Sequence, residues 1–146
     1  MQDGRLLKLT LLGQYSTTGT PTGQILVRWG GVAGTLICKT VAVTLGSGVT
    51  AAMWSAEVWL QTRSNGSAGT IMGNGIAIFG SALTQAVGSA TGAGSVTHLS
   101  NGGVLTPAVA TVDLTADTAL AVSWVWGTSS ASNTVTGLNY SIEAYN

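Results

Sequence analysis

The chain has 146 residues, enough for one domain with a substantial core, and only 7% of them are charged. Five basic residues balance five acidic ones, which excludes the clustered basic face that nucleic-acid binding requires. Mean hydropathy is +0.41, yet Gly, Ser and Thr interrupt every apolar run short of the roughly 18 residues of a spanning helix, so no membrane partner is expected.

The scarcity of charge bears on assembly. A folded monomer of 14.7 kDa exposes roughly 7,000 Å², and ten charged side chains leave most of that area neutral. Soluble monomers carry charge on about 25–35% of surface residues, and zero net charge removes the repulsion that keeps copies apart. The economical expectation is a surface covered by neighbouring copies.

In chain order, "MQDGRLLKLTLLGQYS" reads as a strand rather than a signal peptide. Asp3 precedes the basic residues and no A-x-A site follows. Within it, 5–13 places Leu7, Leu9 and Leu11 on one face. The runs "QILVRWG" (24–30) and "TLICKTVAVTL" (35–45) follow, the second holding Cys38, the single cysteine, expected as a buried structural thiol. "MWSAEVWLQTR" (53–63) puts Trp54, Ala56, Val58 and Leu60 on one face and Glu57, Trp59, Gln61 and Arg63 on the other. The Asn-Gly in "SNGSAG" (64–69) predicts a hairpin to "GTIMGNGIAIFG" (69–80).

Residues 81–98 are rich in small side chains and fit strand, loop or both. The stretch 88–104, "GSATGAGSVTHLSNGGV", is the most loop-like, with His98 and Asn101 as possible contact residues. "ATVDL" (110–114) and "TALAVSWVW" (118–126) come next. In the latter, Leu120, Val122, Trp124 and Trp126 share one face, and Ala121, Ser123 and Val125 share the other. A strand apolar on both faces is covered on both, which again calls for a neighbouring subunit. "NTVTGLNYSIEAY" (133–145) closes the chain.

No window has helical periodicity with caps. Eight or nine short runs predict an all-β domain over 1–146, an antiparallel two-sheet β-sandwich of jelly-roll type, favoured over an Ig-like fold by strand number.

Little in the sequence carries chemistry. His98 is the only histidine, and a zinc site needs three or four ligands, so no metal or other cofactor is expected. Asp113 and Asp117 flank the turn "DLTAD", where capping is a far commoner role than glycosidic catalysis. No enzyme is expected. Of the five tryptophans, Trp54, Trp124 and Trp126 lie on apolar faces and read as core. Trp29 joins them as a core or interface candidate, while Trp59, among Ser55, Glu57, Gln61 and Arg63, reads as exposed or interfacial. The residues expected at an oligomer interface are Trp59, Arg63, Val125 and Tyr145.

The pattern W-x-x-E-x-x-L-x-x-R-x-x-G-x-x-G-T, carried here by Trp54, Glu57, Leu60, Arg63, Gly66, Gly69 and Thr70, is followed by Asp117-Thr118. A V-x-W strand with Trp124 and an A-S-x-N-T bend at Ala131 to Thr134 come after it. Together these words resemble a family of bacteriophage virion proteins, over roughly the C-terminal two-thirds of the chain. The resemblance implies a jelly-roll module assembled as a homotrimer. Such modules serve as capsid decoration (cement) proteins bound to the major capsid protein lattice, or as tail-fibre tips recognising host cell-surface glycans. No stalk precedes the strands, which favours the capsid exterior over the tail. The same resemblance sets the terminal strand inside a sheet.

Overall fold

A computed structural model describes residues 3–81, 95–100 and 109–145. Ten strands form between Leu6 and Tyr145, and no helix occurs among the described residues. They are β1 (Leu6–Ser16), β2 (Thr22–Trp29), β3 (Thr35–Thr40), β4 (Val43–Thr44), β5 (Ala52–Ser64), β6 (Gly69–Phe79), β7 (Ser95–Ser100), β8 (Val109–Val112), β9 (Leu120–Trp126) and β10 (Thr134–Tyr145).

All strand pairings among the described residues are antiparallel and belong to one curled sheet. Its path runs β10-β1-β5-β6-β7-β3-β2, with β4 beside β2 and β8 beside β6, and ends on β9, which pairs β2. The hydrogen-bonded path is continuous, because β7 pairs both with β6 and, at Ser100 and Leu99, with Lys39 and Thr40 of β3. β7 thus joins the two arms of one open, curled sheet whose ends are β10 and β9.

Period-two patterning builds the core between the two arms of this curl. Leu9, Trp54, Ala56, Val58, Leu60, Ile71 and Phe79 come from one arm, and Ile25, Val27, Ile37, Val43 and Leu45 from the other. The sequence-predicted inward faces of β1 and β5 hold, with Leu7 and Leu11 partly buried against the same cluster. The β5–β6 hairpin forms as predicted, with Ser64 opposite Thr70 and Gly66 at φ +107° in the turn. The β2–β3 connection turns at Gly30 and Gly31, both in the left-handed region that a side chain disfavours. Cys38 is buried, and burial pushes its thiol up to about 12.

Four aromatic rings surround Trp124. Tyr15, Trp54, Phe79 and Trp126 lie with centroids 5.2 to 5.8 Å from it. The core reading of Trp54 holds, while Trp124 and Trp126 are partly buried against the cluster. Gly23 lies beneath Trp124, where a Cβ would come within 2.5 Å of the indole. Trp29 donates from Nε1 to the Asp113 carbonyl at 3.1 Å, tying β2 to the turn after β8.

Two expectations change. Residues 95–100, expected within a loop, form β7: Thr97 and Leu99 point inward and are buried, while Val96 and His98 face out. Alternation was present, but Gly- and Ser-rich flanks obscured it. The terminal strand, expected inside a sheet, lies at its end; β10 pairs with β1 and with no other strand among the described residues. Asn101 lies outside the described residues, as does 88–94 of the expected contact loop.

Candidate functional site

Two surfaces stand out, one on the outside of the sheet and one at its open ends. The first is a trough of about 760 Å³ on the outer face of β1, β5, β6 and β7. Strand register sets the side chains of this outer face in rows, some lining the trough and some flanking it. One row runs Thr10, Glu57, Ile76, His98; a second runs Leu12, Ser55, Ile78, Val96. With strands about 4.8 Å apart, Glu57 and His98 stand on either side of Ile76. Leu12, Ile76, Ile78 and Val96 are all exposed, so the outer face of this arm carries apolar side chains where solvent-facing strands ordinarily carry polar ones.

The rim of the trough is a polar and aromatic cluster. Lys8 Nζ lies 3.0 Å from Glu57 Oε2 and 4.9 Å from the Trp59 ring centroid. Trp59 Nε1 donates to Glu57 Oε1 at 3.1 Å, and the Tyr145 ring packs 6.2 Å from Trp59. The Tyr145 hydroxyl donates to the Glu143 carboxylate. The hydrogen bond from Lys8 holds the Glu57 carboxyl below its usual range, and Glu57 in turn raises the Lys8 ammonium. Glu57 is exposed and Lys8 half-buried at the surface, so the pair orders the rim and contributes little to stability. It also occupies Trp59: an ammonium sits over the ring and a second aromatic ring abuts it, leaving less of the bare face on which a sugar stacks.

The second surface is a groove of about 640 Å³ between the inner faces of β9 and β10, reaching down to Leu9, Ile25 and Trp54. Its outer wall is β10. By register, Tyr140 and Ile142 share a face with Leu11 and Leu9, the core-directed face of β1. Yet Tyr140 is 73% exposed, Ile142 53% and Leu138 52%. β10 has twelve residues and β9 seven, so β10 outruns β9 by about 17 Å at ~3.4 Å per residue. An inward-facing apolar strip is therefore left without a cover.

The structure brings together two of the four residues expected at an interface. Trp59 and Tyr145 touch. Arg63 is exposed farther along β5, at the bulge between Thr62 and Ser64. Val125 is 45% exposed on β9, at the other end of the sheet path. His98 lines the trough instead of a loop. Asp113 has a turn role, its Oδ1 accepting from Thr115 N at 2.8 Å and from Thr115 Oγ1 at 2.6 Å, bonds that lower its carboxyl. Among the described residues no group of three or more His, Cys, Asp or Glu is placed to hold a metal ion, and no helix is long and apolar enough to cross a membrane.

Sequence reasoning missed Lys8 as the partner of Trp59 and missed the uncovered strip on β10. The apolar parity of Leu138, Tyr140, Ile142 and Ala144 was the available signal for the strip. The chain matches no protein-family model, no curated protein and no solved structure.

Proposed function

We propose that this chain is a structural protein of a bacteriophage virion, a homotrimeric jelly-roll module that decorates and stabilises the capsid exterior by gripping the major capsid protein lattice. In this reading the two arms of the curled sheet are the two sheets of the jelly roll. No enzymatic role and no cofactor belong to it.

The observation that carries the reading is the apolar outer face built from Leu12, Ile76, Ile78 and Val96. Ten charged side chains share 7376 Å² of accessible surface, so contacts of this chain rest on shape and apolar area instead of charge. A lattice contact has that character. The trimer and the capsid come from the resemblance of the Trp54–Thr70 and Asp117–Thr134 patterns to decoration proteins. The uncovered surfaces agree with a protein that works in an assembly. The Lys8–Glu57–Trp59 rim weighs against a glycan-binding fibre tip, because the ring such a site would use is already engaged.

The test is immunogold electron microscopy of virions from the source, using antibody raised against the chain. Gold distributed over the heads supports decoration. Gold confined to the tail replaces it with the fibre-tip reading, and unlabelled virions reject both.

A further inference from the structure

The ten-stranded path has two open ends, and both carry few of the features that normally keep strand edges single. β10 pairs only with β1, and β9 only with β2, among the described residues. An unpaired edge presents a row of free backbone donors and acceptors, which native proteins blunt with Lys, Pro, bulges or very short strands. β9 contains none of these, and none of its seven residues is charged. β10 has one bulge, at Leu138, between the Leu12–Asn139 and Gly13–Gly137 pairs. The seven residues beyond it, Asn139–Tyr145, carry a single charge, Glu143, and no proline or lysine.

We propose that these two ends join between copies: the free edge of β10 in one copy pairs with the free edge of β9 in the next. Tyr140 and Ile142 then close the mouth of the groove, and outward side chains of β10 come to stand beside Val125 on the outer face. The occupant is a second copy of this chain for three reasons. It must offer a strand, because the exposed groups are backbone. It must be uncharged, because the edge of β9 and the groove walls reaching Leu9, Ile25 and Trp54 carry no charge to complement. With zero net charge and ten charged side chains, nothing opposes the approach of another copy.

The contact is head-to-tail, since it uses a different surface on each partner, and a head-to-tail contact with a closing rotation makes a ring. Three copies make the ring that the decoration reading requires, and the inference rests on that reading for its number. It also assigns the two surfaces separately: the open sheet ends face other copies, and the outer trough remains for the lattice.

A head-to-tail contact has a signature that a symmetric one lacks. Tyr140→Lys spoils the β10 end and leaves β9 intact; Val125→Lys spoils β9 and leaves β10 intact. In light scattering after gel filtration, wild type is expected at three times 14.7 kDa and each variant alone at 14.7 kDa, with far-UV circular dichroism unchanged. An equimolar mixture of the two variants is expected to give a two-chain species through the one intact contact. A wild-type mass of two chains, or a mixture that stays monomeric, overturns the head-to-tail joining. If either variant fails to fold, wild-type hydrogen exchange decides. Amides of 139–145 and 120–126 must gain protection between nanomolar and micromolar chain, and equal protection at both overturns the proposal. A trimer that persists in both variants overturns the contact and keeps the trimer, whereas a ring on a chain that never labels virions keeps the contact and overturns the decoration role.

Discussion

Trp54 is 7% exposed, and its indole Nε1 has no hydrogen-bond partner among the described residues. Replacing it by Phe therefore has two opposed consequences. The shorter ring gives up the burial of about three heavy atoms, roughly 1–1.5 kcal/mol by transfer bookkeeping. It also removes a buried donor left without a partner, a defect costing about 1–3 kcal/mol. The two oppose each other, so Trp54→Phe is expected between about 0.5 kcal/mol less and about 2 kcal/mol more stable than wild type. Trp54→Ala removes the whole ring from contact with Trp124, 5.8 Å away, and costs about 3–5 kcal/mol. For a chain of this size that lowers Tm by about 6–20 °C. Thermal unfolding followed by circular dichroism, at one fixed chain concentration because assembly adds to apparent stability, measures both. If Trp54→Phe loses as much as Trp54→Ala, the indole N–H is engaged and the reasoning fails.

Three further predictions follow from the same packing. Gly23→Ala places a Cβ 2.5 Å from the Trp124 ring and 3.0 Å from Leu45, an overpacking of about 1–3 kcal/mol that should lower Tm and alter the near-UV aromatic signal; an unchanged melt would mean the aromatic cluster yields freely. Burial raises Tyr15 from 10.0 to about 12 and Cys38 from 9.0 to about 12. Both groups are therefore protonated in the folded chain at a pH where the unfolded chain ionises, so their stabilisation is complete below about pH 9 and lost progressively from there to about 12. Melts across that range should show the decline, and Cys38→Ala should make it shallower; a flat alkaline profile contradicts the burial of both groups. Deleting 138–146 removes the partner of β1 from Leu6 to Leu12 and one wall of the groove. Soluble assembly should be abolished, and gel filtration showing a soluble, assembled truncation refutes it.

The strands with clean alternation were legible in the sequence because period two decides the face wherever one side is buried. Trp54, Ala56, Val58 and Leu60 on β5, and Leu9 on β1, are buried as their spacing requires. The Asn-Gly turn fixed the β5–β6 partner because its connection is local. What the sequence could not show is non-local. β7 links the two arms because Ser100 meets both Asn74 and Lys39, and Leu99 meets both Gly75 and Thr40, pairings that follow from how the sheet curls. The exposure of Tyr140 and Ile142 depends on the length of β9 relative to β10, a comparison between strands that no single run contains. The rim of the trough was half legible. Trp59 was singled out by its polar neighbours in β5, but Lys8 reaches it through the β1–β5 register, Lys8 opposite Trp59. The expectation that Ala121, Ser123 and Val125 are covered now bears on the β9 end of the sheet, where Val125 remains exposed in the single chain.

The uncovered strip on β10 and the free edge of β9 call for a second copy of the chain above any other partner. The most direct test is the mass of the purified, untagged chain by multi-angle light scattering at micromolar concentration. Three times the 14.7 kDa chain mass is the predicted result. A clean single-chain mass would leave the exposed strip on β10 and the free edge of β9 without an occupant, and would contradict assembly from copies.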